Sequence, residues 1–253
     1  MTNRRDGKYM NYEVLNERQK DLIVNIENYF NYSSETIFKK RNTIKIVHFE
    51  GKKYVVKSFK IPHLINQIAY ALFRDGKAKK SYLNSIKIQN FVPTPIGYIE
   101  FKKAGRLKES YFVSEPFEYD FTIREPLTSK EYPKKEAIYH AFAKFTNQLH
   151  KQGVLHLDYS PGNILIKEYS KGYEFKIIDV NRMLFKQLSI QERLENFSKL
   201  WATDEDLTII IKEYAKLNKL DEKESLEIAL KASQKHKNRK NLKKRLKGKK
   251  VVD

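Results

Sequence analysis

A chain of 253 residues, 40% of them hydrophobic, is long and apolar enough to bury a core, which excludes disorder as its ground state. Its formal charge of +19 directs it toward anionic partners, and the absence of cysteine excludes a disulfide framework and a thiolate zinc site. The opening residues, MTNRRDGKYMNYEVLNERQK, do not read as a secretory signal, and no uncharged apolar run reaches the roughly 18 residues of a spanning helix. The expected location is cytoplasmic, either soluble or peripheral on a membrane surface.

Residues 12–30 carry apolar side chains at helical spacing and predict an amphipathic helix. From Thr36 to Phe59 the pattern turns strand-like, in TIFKKR, TIKIVHFE and KYVVKSFK, with a hairpin turn at Glu50-Gly51-Lys52. A helix is expected from Pro62, with Leu64, Ile65, Ile68 and Leu72 on one face, and a second over 77–89. Pro93 and Pro95 end it, and strands Ile96–Phe101 and Ser110–Glu115 follow. Beyond Pro116 the chain is mainly helical. A strong amphipathic helix spans 134–151 and is closed by Gly153. Two short strands, ILIKEY and FKIIDV, flank nothing but a turn, and helices fill 190–201, 204–217 and 221–235. This order predicts an α+β fold of three parts: a strand-rich N-lobe over 1–116, a helical C-lobe over 117–234 and a basic tail over 235–253.

The chemistry concentrates in HLDYSPGN (156–163) and, one strand later, Ile177-Ile178-Asp179. Phosphoryl transfer needs a carboxylate to accept a hydroxyl proton and oxygen ligands for the magnesium that bridges the phosphates. Asp158 suits the first task; the amide oxygen of Asn163 and the carboxylate of Asp179 suit the second. The step from Asp158 to Asn163 lets one loop aim both side chains at one phosphate, and Asp179 ends an apolar strand, a rigid support. His48, His63, His140 and His150 share no metal-ligand spacing.

HLDYSPGNILI followed by IIDVN resembles the catalytic-loop and metal-loop pattern of protein-kinase-like enzymes. KSFKIPHLINQIAYALFRDGKAKKSY, VPTPIGYIE and IIDVNRM bring the resemblance closer, to the bacterial lipopolysaccharide core kinases of the Kdo/WaaP type, over roughly residues 35–200. The resemblance implies a bilobal protein-kinase-like fold, a small antiparallel-sheet N-lobe with a larger helical C-lobe, and ATP and Mg2+ as cofactors. It implies that Asp158 is the catalytic base, that Asn163 and Asp179 bind the metal, and that Lys57 meets the α and β phosphates. Glu115 to Phe117 become a hinge facing the adenine, and His156 braces the catalytic loop. The implied reaction moves the γ-phosphate to a hydroxyl of a lipopolysaccharide inner-core sugar at the inner face of the cytoplasmic membrane.

The chain departs from the protein-kinase pattern in three places. No glycine-rich motif precedes Lys57, so residues 39–43 (KKRNT) must form the phosphate-covering turn, and Asp179-Val-Asn181 ends without glycine. The helix glutamate that pairs with this lysine in protein kinases is missing. Asp75 substitutes for it, or Asn84 makes a neutral hydrogen bond, or the pairing is absent. A protein or small-metabolite acceptor, or a nucleotide-binding module without catalysis, are the alternative functions. The tail segment 235–250 holds ten Lys or Arg and no acidic residue. Attraction of about 1 kcal/mol per basic residue to an anionic membrane or glycolipid is favoured over nucleic acid, since the tail has no aromatics to stack on bases.

Overall fold

The computed structural model of the chain describes residues 2–5, 7–40, 42–60, 75–104 and 106–248. The helix expected from Pro62 to Leu72 lies outside them, as does Arg41 in the expected phosphate-covering turn. The chain divides into two units, Met1–Phe117 with Asp179–Asn181, and Glu118–Ile178 with Arg182–Asp253.

The N-terminal unit is built on one antiparallel sheet. Strands β1 (Thr2–Arg5), β2 (Lys8–Val14), β3 (Thr36–Lys39), β4 (Thr43–Phe49), β5 (Lys52–Ser58), β6 (Pro95–Lys103) and β7 (Arg106–Ser114) lie in the order β1-β2-β6-β7-β5-β4-β3. Helices α1 (Lys20–Val24) and α2 (Ile26–Tyr32) bury Leu22, Ile23, Ile26 and Phe30 against Ile99, Phe101, Tyr111 and Val113 of the sheet. Helix α3 (Lys77–Lys87) forms a second cluster, Ala78 and Tyr82 against Phe59 and Tyr98.

The single helix expected over 12–30 is corrected here. Met10 and Tyr12 are buried while Tyr9 is exposed, a period of two that makes KYMNYEV a strand pairing with both β1 and β6. The Asn16 side chain caps the turn that follows, and Asn25, at φ −105° and ψ 15°, divides the helix. Strand β1 was likewise not expected; β3 to β5 fall where the pattern put them, and β6 and β7 cover the expected segments but run longer. Glu50 and Gly51 turn the β4–β5 hairpin with φ of 47° and 73°, the left-handed geometry of a tight hairpin turn.

Helix α3 is anchored by a residue from outside its own sequence. Buried Glu100 of β6 accepts a hydrogen bond from the Lys79 backbone, placing a carboxyl at the helix's positive N-terminal end. A Cβ at Gly76 would stand 2.0 Å from Glu100 Oε1, so glycine at this position is a requirement of the approach.

The C-terminal unit comprises β8 (Phe121–Thr122), α4 (Arg124–Thr128), α5 (Lys135–Lys151), β9 (Val154–His156), β10 (Ile164–Tyr169), β11 (Gly172–Ile177), β12 (Met183–Phe185), α6 (Ile190–Asn196), α7 (Asp204–Asn218) and α8 (Glu222–Arg245). Its strands form two small antiparallel sheets, β11-β10-β8 and β12-β9. The core gathers around Phe142 of α5, whose ring meets those of Tyr159, Phe175 and Phe197 at 5.8, 6.0 and 6.3 Å. Each such pair contributes about 0.5–1.5 kcal/mol beyond its buried area. Lys135 and the buried carboxylate of Asp206 join α5 to α7 at 2.8 Å.

Helix α5 stops where expected. Gly153 has φ +71°, its N–H donates to His150 O, and a Cβ there would lie 2.6 Å from Lys186 O.

The last helix does not end near 235 but continues to Arg245, so half of the expected tail is regular structure. Asp221 caps its start, lysine and arginine are good helix formers, and basic residues complement the negative C-terminal end. Lys244 stands 5.3 Å over the Trp201 ring. Among the described residues, no helix is long and apolar enough to cross a membrane.

Candidate active site

In the C-terminal unit the segment after β9 closes on itself. The Ser160 N–H donates to Asp158 O at 2.8 Å, the Asn163 N–H to Ser160 O at 2.9 Å, and Asn163 Nδ2 to Asp158 O at 2.9 Å. Pro161 begins the short 3-10 turn to Asn163, where its missing N–H removes no bond. The spacing from Asp158 to Asn163 is thus the length at which the amide can reach back to the loop's first carbonyl. With its nitrogen so engaged, the Asn163 amide keeps its oxygen for another partner.

Buried His156 braces this loop. Its Nδ1 accepts the Asp158 N–H at 3.0 Å, so Nε2 carries the proton and donates to Ile178 O at 3.1 Å. A buried hydrogen-bond chain continues inward. Asn196 Nδ2 donates to His156 O, Asn196 Oδ1 accepts from His150 Nε2, and His150 Nδ1 accepts from the Tyr214 hydroxyl at 2.9 Å. Helices α5, α6 and α7 therefore reach the loop at 156–163 through side chains that spacing alone did not single out. Asp158 itself has a side chain 47% exposed, with Oδ2 4.0 Å from the Arg182 guanidinium.

In the N-terminal unit Lys57 of β5 meets Asp179. Lys57 Nζ donates to Asp179 Oδ1 at 2.7 Å, with the lysine side chain only 14% exposed. Asn181 Nδ2 donates to the same oxygen at 2.6 Å, which leaves Oδ2 outside both bonds. Asp179 has φ +60°, a left-handed conformation disfavoured for aspartate and often held at functional positions.

Of the alternatives for the Lys57 partner, neither Asp75, which precedes α3, nor Asn84 of α3 pairs with it. Asp75 pairs with Lys79 at 2.7 Å, and Asn84 Nδ2 donates to Val180 O at 2.7 Å. Asn84 thus ties α3 to the backbone after Asp179.

Of the expected hinge, the Glu115 N–H is committed to Thr94 O at 2.9 Å. Phe117 is half-buried and Glu115 exposed. The turn between β3 and β4 is held by Lys40 N–H to Asn42 O at 3.2 Å, and the Asn42 side chain accepts from the Lys60 N–H.

Each donor taken by itself has the chemistry a hard cation prefers: in the C-terminal unit the Asn163 amide oxygen, oriented by its own nitrogen's bond, and in the N-terminal unit the Asp179 carboxylate oxygen outside the Lys57 and Asn181 contacts. Among the described residues no group of three or more His, Cys, Asp or Glu gathers as a metal cage.

The lipopolysaccharide kinase (Kdo/WaaP) family model matches residues 81–220, just over half of the chain. The chain belongs to that family. It is accordingly a phosphotransferase, which sets aside the binding-module alternative. The solved structure of WaaP in complex with acyl carrier protein shares the fold, with a TM-score of 0.58 at 15% identity, over 90% of this chain and 98% of that one. No curated protein matches the chain. Asn84, Asp158, Asn163, Asp179 and Arg182 fall inside the matched residues, while Lys57 and the whole of α8 fall outside.

Proposed function

We propose that this family member transfers the γ-phosphate of ATP to a hydroxyl of a lipopolysaccharide inner-core sugar. Asp158 accepts the hydroxyl proton; Asn163 and Asp179 hold magnesium through their oxygens; Lys57 meets the α and β phosphates; and the backbone of Glu115 and Phe117 faces the adenine. A magnesium ion, when bound, neutralises the charge that builds on the transferred group. Asp158 is exposed enough to meet an acceptor, and the loop's own bonds fix its backbone. The observation that carries the reading is the 2.7 Å pair between Lys57 and Asp179, residues 122 apart in sequence. It joins the lysine assigned to phosphate with the carboxylate assigned to metal. The basic face of α8 is proposed to rest on the anionic surface that carries the acceptor.

The test is magnesium-dependent transfer of labelled γ-phosphate to extracted lipopolysaccharide core, to a generic protein and to buffer alone. Label on the core is expected, with a loss of about 10²–10⁴-fold in Asp158→Ala, the contribution typical of a general base. Turnover retained within a few-fold in that variant would refute the mechanism, and label on the protein alone would refute the acceptor.

A further inference from the structure

Beside the catalytic loop the C-terminal unit holds a cavity of about 350 Å³. Leu155 and Leu157 line it, the latter being the residue before Asp158. Lys199, from the 3-10 turn Phe197–Leu200, and Lys235, His236 and Arg239 of α8 form its basic side. The three α8 residues fall on one helical face by their spacing. Lys199 Nζ stands 3.3 Å from His236 Nδ1.

Positive charge here is crowded and largely uncompensated. Burial, then Arg239 and Lys240, hold the Lys199 ammonium below the ordinary lysine range; Glu195 opposes this and Arg182 adds to it. Burial and the same neighbouring cations bring His236 down to about 4, so near neutral pH its Nδ1 accepts from Lys199. Among the described residues, Lys199, Lys235, Arg239 and Lys240 have no carboxylate within ion-pair distance. Of the acidic residues on the cavity wall, Glu192 is paired with Lys186 and the Ser189 cap, while Glu195, which accepts from Gln191 at 2.8 Å, offsets part of the charge at Lys199. Crowding like charges around a cavity opposes folding, and a bound anion would offset it.

We propose that this cavity binds an anionic group, a phosphate or carboxylate, carried by the phosphoryl acceptor. The assignment rests on the reading of Asp158 as the base that meets the acceptor hydroxyl. Arg182 links the two places: its guanidinium reaches Asp158 Oδ2, its carbonyl accepts the Leu157 N–H at 3.0 Å, and its charge is felt at Lys199. An acceptor whose hydroxyl faces Asp158 has its acidic substituent in the field of Arg182, Lys199 and Arg239. Leu155, Leu157 and Ala232 offer an apolar surface to the face of a sugar ring. The α8 side of the cavity lies beyond residue 220, where the family match ends.

Trp201, the only tryptophan, meets the His236 ring edge to face at 6.0 Å, and its fluorescence reports occupancy of the cavity. The full chain is titrated with inorganic phosphate in wild type, Asp158→Ala, Lys199→Gln and Arg239→Gln. Steady-state kinetics on lipopolysaccharide core follow for wild type and the two cavity variants. Arg239 is exposed, so its variant folds even if Lys199→Gln does not. The expected result is a Trp201 response in wild type and Asp158→Ala, weakened about tenfold in each cavity variant, the loss of one charge-assisted contact. KM for the core rises about tenfold in the same variants while KM for ATP stays unchanged. No Trp201 response, or one the variants leave intact, overturns the site. A response lost in the variants with the core's KM unmoved makes free phosphate the occupant and overturns the acceptor assignment. A normal response with no transfer to any acceptor refutes the function proposed above, and the acceptor assignment with it, while the anion site stands.

Discussion

Acidification tests the buried chain that supports the loop at 156–163. His150 is fully buried, and its ring is held between the Tyr214 hydroxyl and the Asn196 amide oxygen. Burial brings its pKa from the ordinary 6.5 down to about 4; the Asn196 bond opposes the shift and the Arg193 charge adds to it. Between those two values the unfolded chain binds the proton and the folded one does not. Stability is therefore complete above about pH 6.5 and falls as the pH drops toward 4. Linkage across this window costs about 2 kcal/mol by pH 5 and about 3 kcal/mol by pH 4. That is a large share of the ~5–15 kcal/mol typical of a folded domain. Urea unfolding followed by Trp201 fluorescence reads the C-terminal unit, which holds both Trp201 and His150. Carboxylates titrate in the same range, so the measurement is the difference between wild type and His150→Gln, which keeps a donor and an acceptor without titrating. Wild type should lose about 2 kcal/mol more than the variant between neutral pH and pH 5. Parallel pH profiles would show that His150 is not buried neutral and would refute the reasoning.

Two further outcomes follow from single contacts. Asn84→Ala removes the bond to Val180 O and should cost about 1 kcal/mol. It should lower kcat while leaving KM for the core unchanged, because Asn84 acts through the backbone beside Asp179; thermal melts and steady-state kinetics check this, and a wild-type kcat would deny it a positioning role. Reversing Lys243 and Arg245 to glutamate should remove at least ~2 kcal/mol of attraction to anionic vesicles, about thirtyfold in partition. Co-sedimentation with anionic and neutral vesicles measures it, and an unchanged partition would rule out α8 as the contact surface.

Local sequence carried the loop at 156–163. The bonds that close residues 156–163 run among His156, Asp158, Ser160 and Asn163, so their spacing was visible in a short window. The hairpin at Glu50-Gly51 and the stop at Gly153 were legible for the same reason, since a positive φ is a local demand. The N-terminal strand was misread because residues 12–30 satisfy a helical period from Leu22 onward. Only pairing with β6 shows that Met10 and Tyr12 belong to a sheet. Helix α8 outran its expected end because a run of charges suggests a solvated tail, whereas the cap at Asp221 and packing near Trp201 favour a helix.

By itself, then, the sequence determined the strands from Thr36 to Phe59, the long helix closed by Gly153, the family and the loop that presents Asp158 and Asn163, each of which shows in a local pattern. Tertiary structure alone decided what Lys57 pairs with, because Asp179 arrives from 122 residues away and no spacing rule relates the two. It likewise decided that Glu100 of a strand anchors α3, and that His150, Asn196 and Tyr214 reach the loop at 156–163. Those contacts join polar groups inside a packed core. Their energies come from burial and pairing in three dimensions, and such terms leave no period in the sequence.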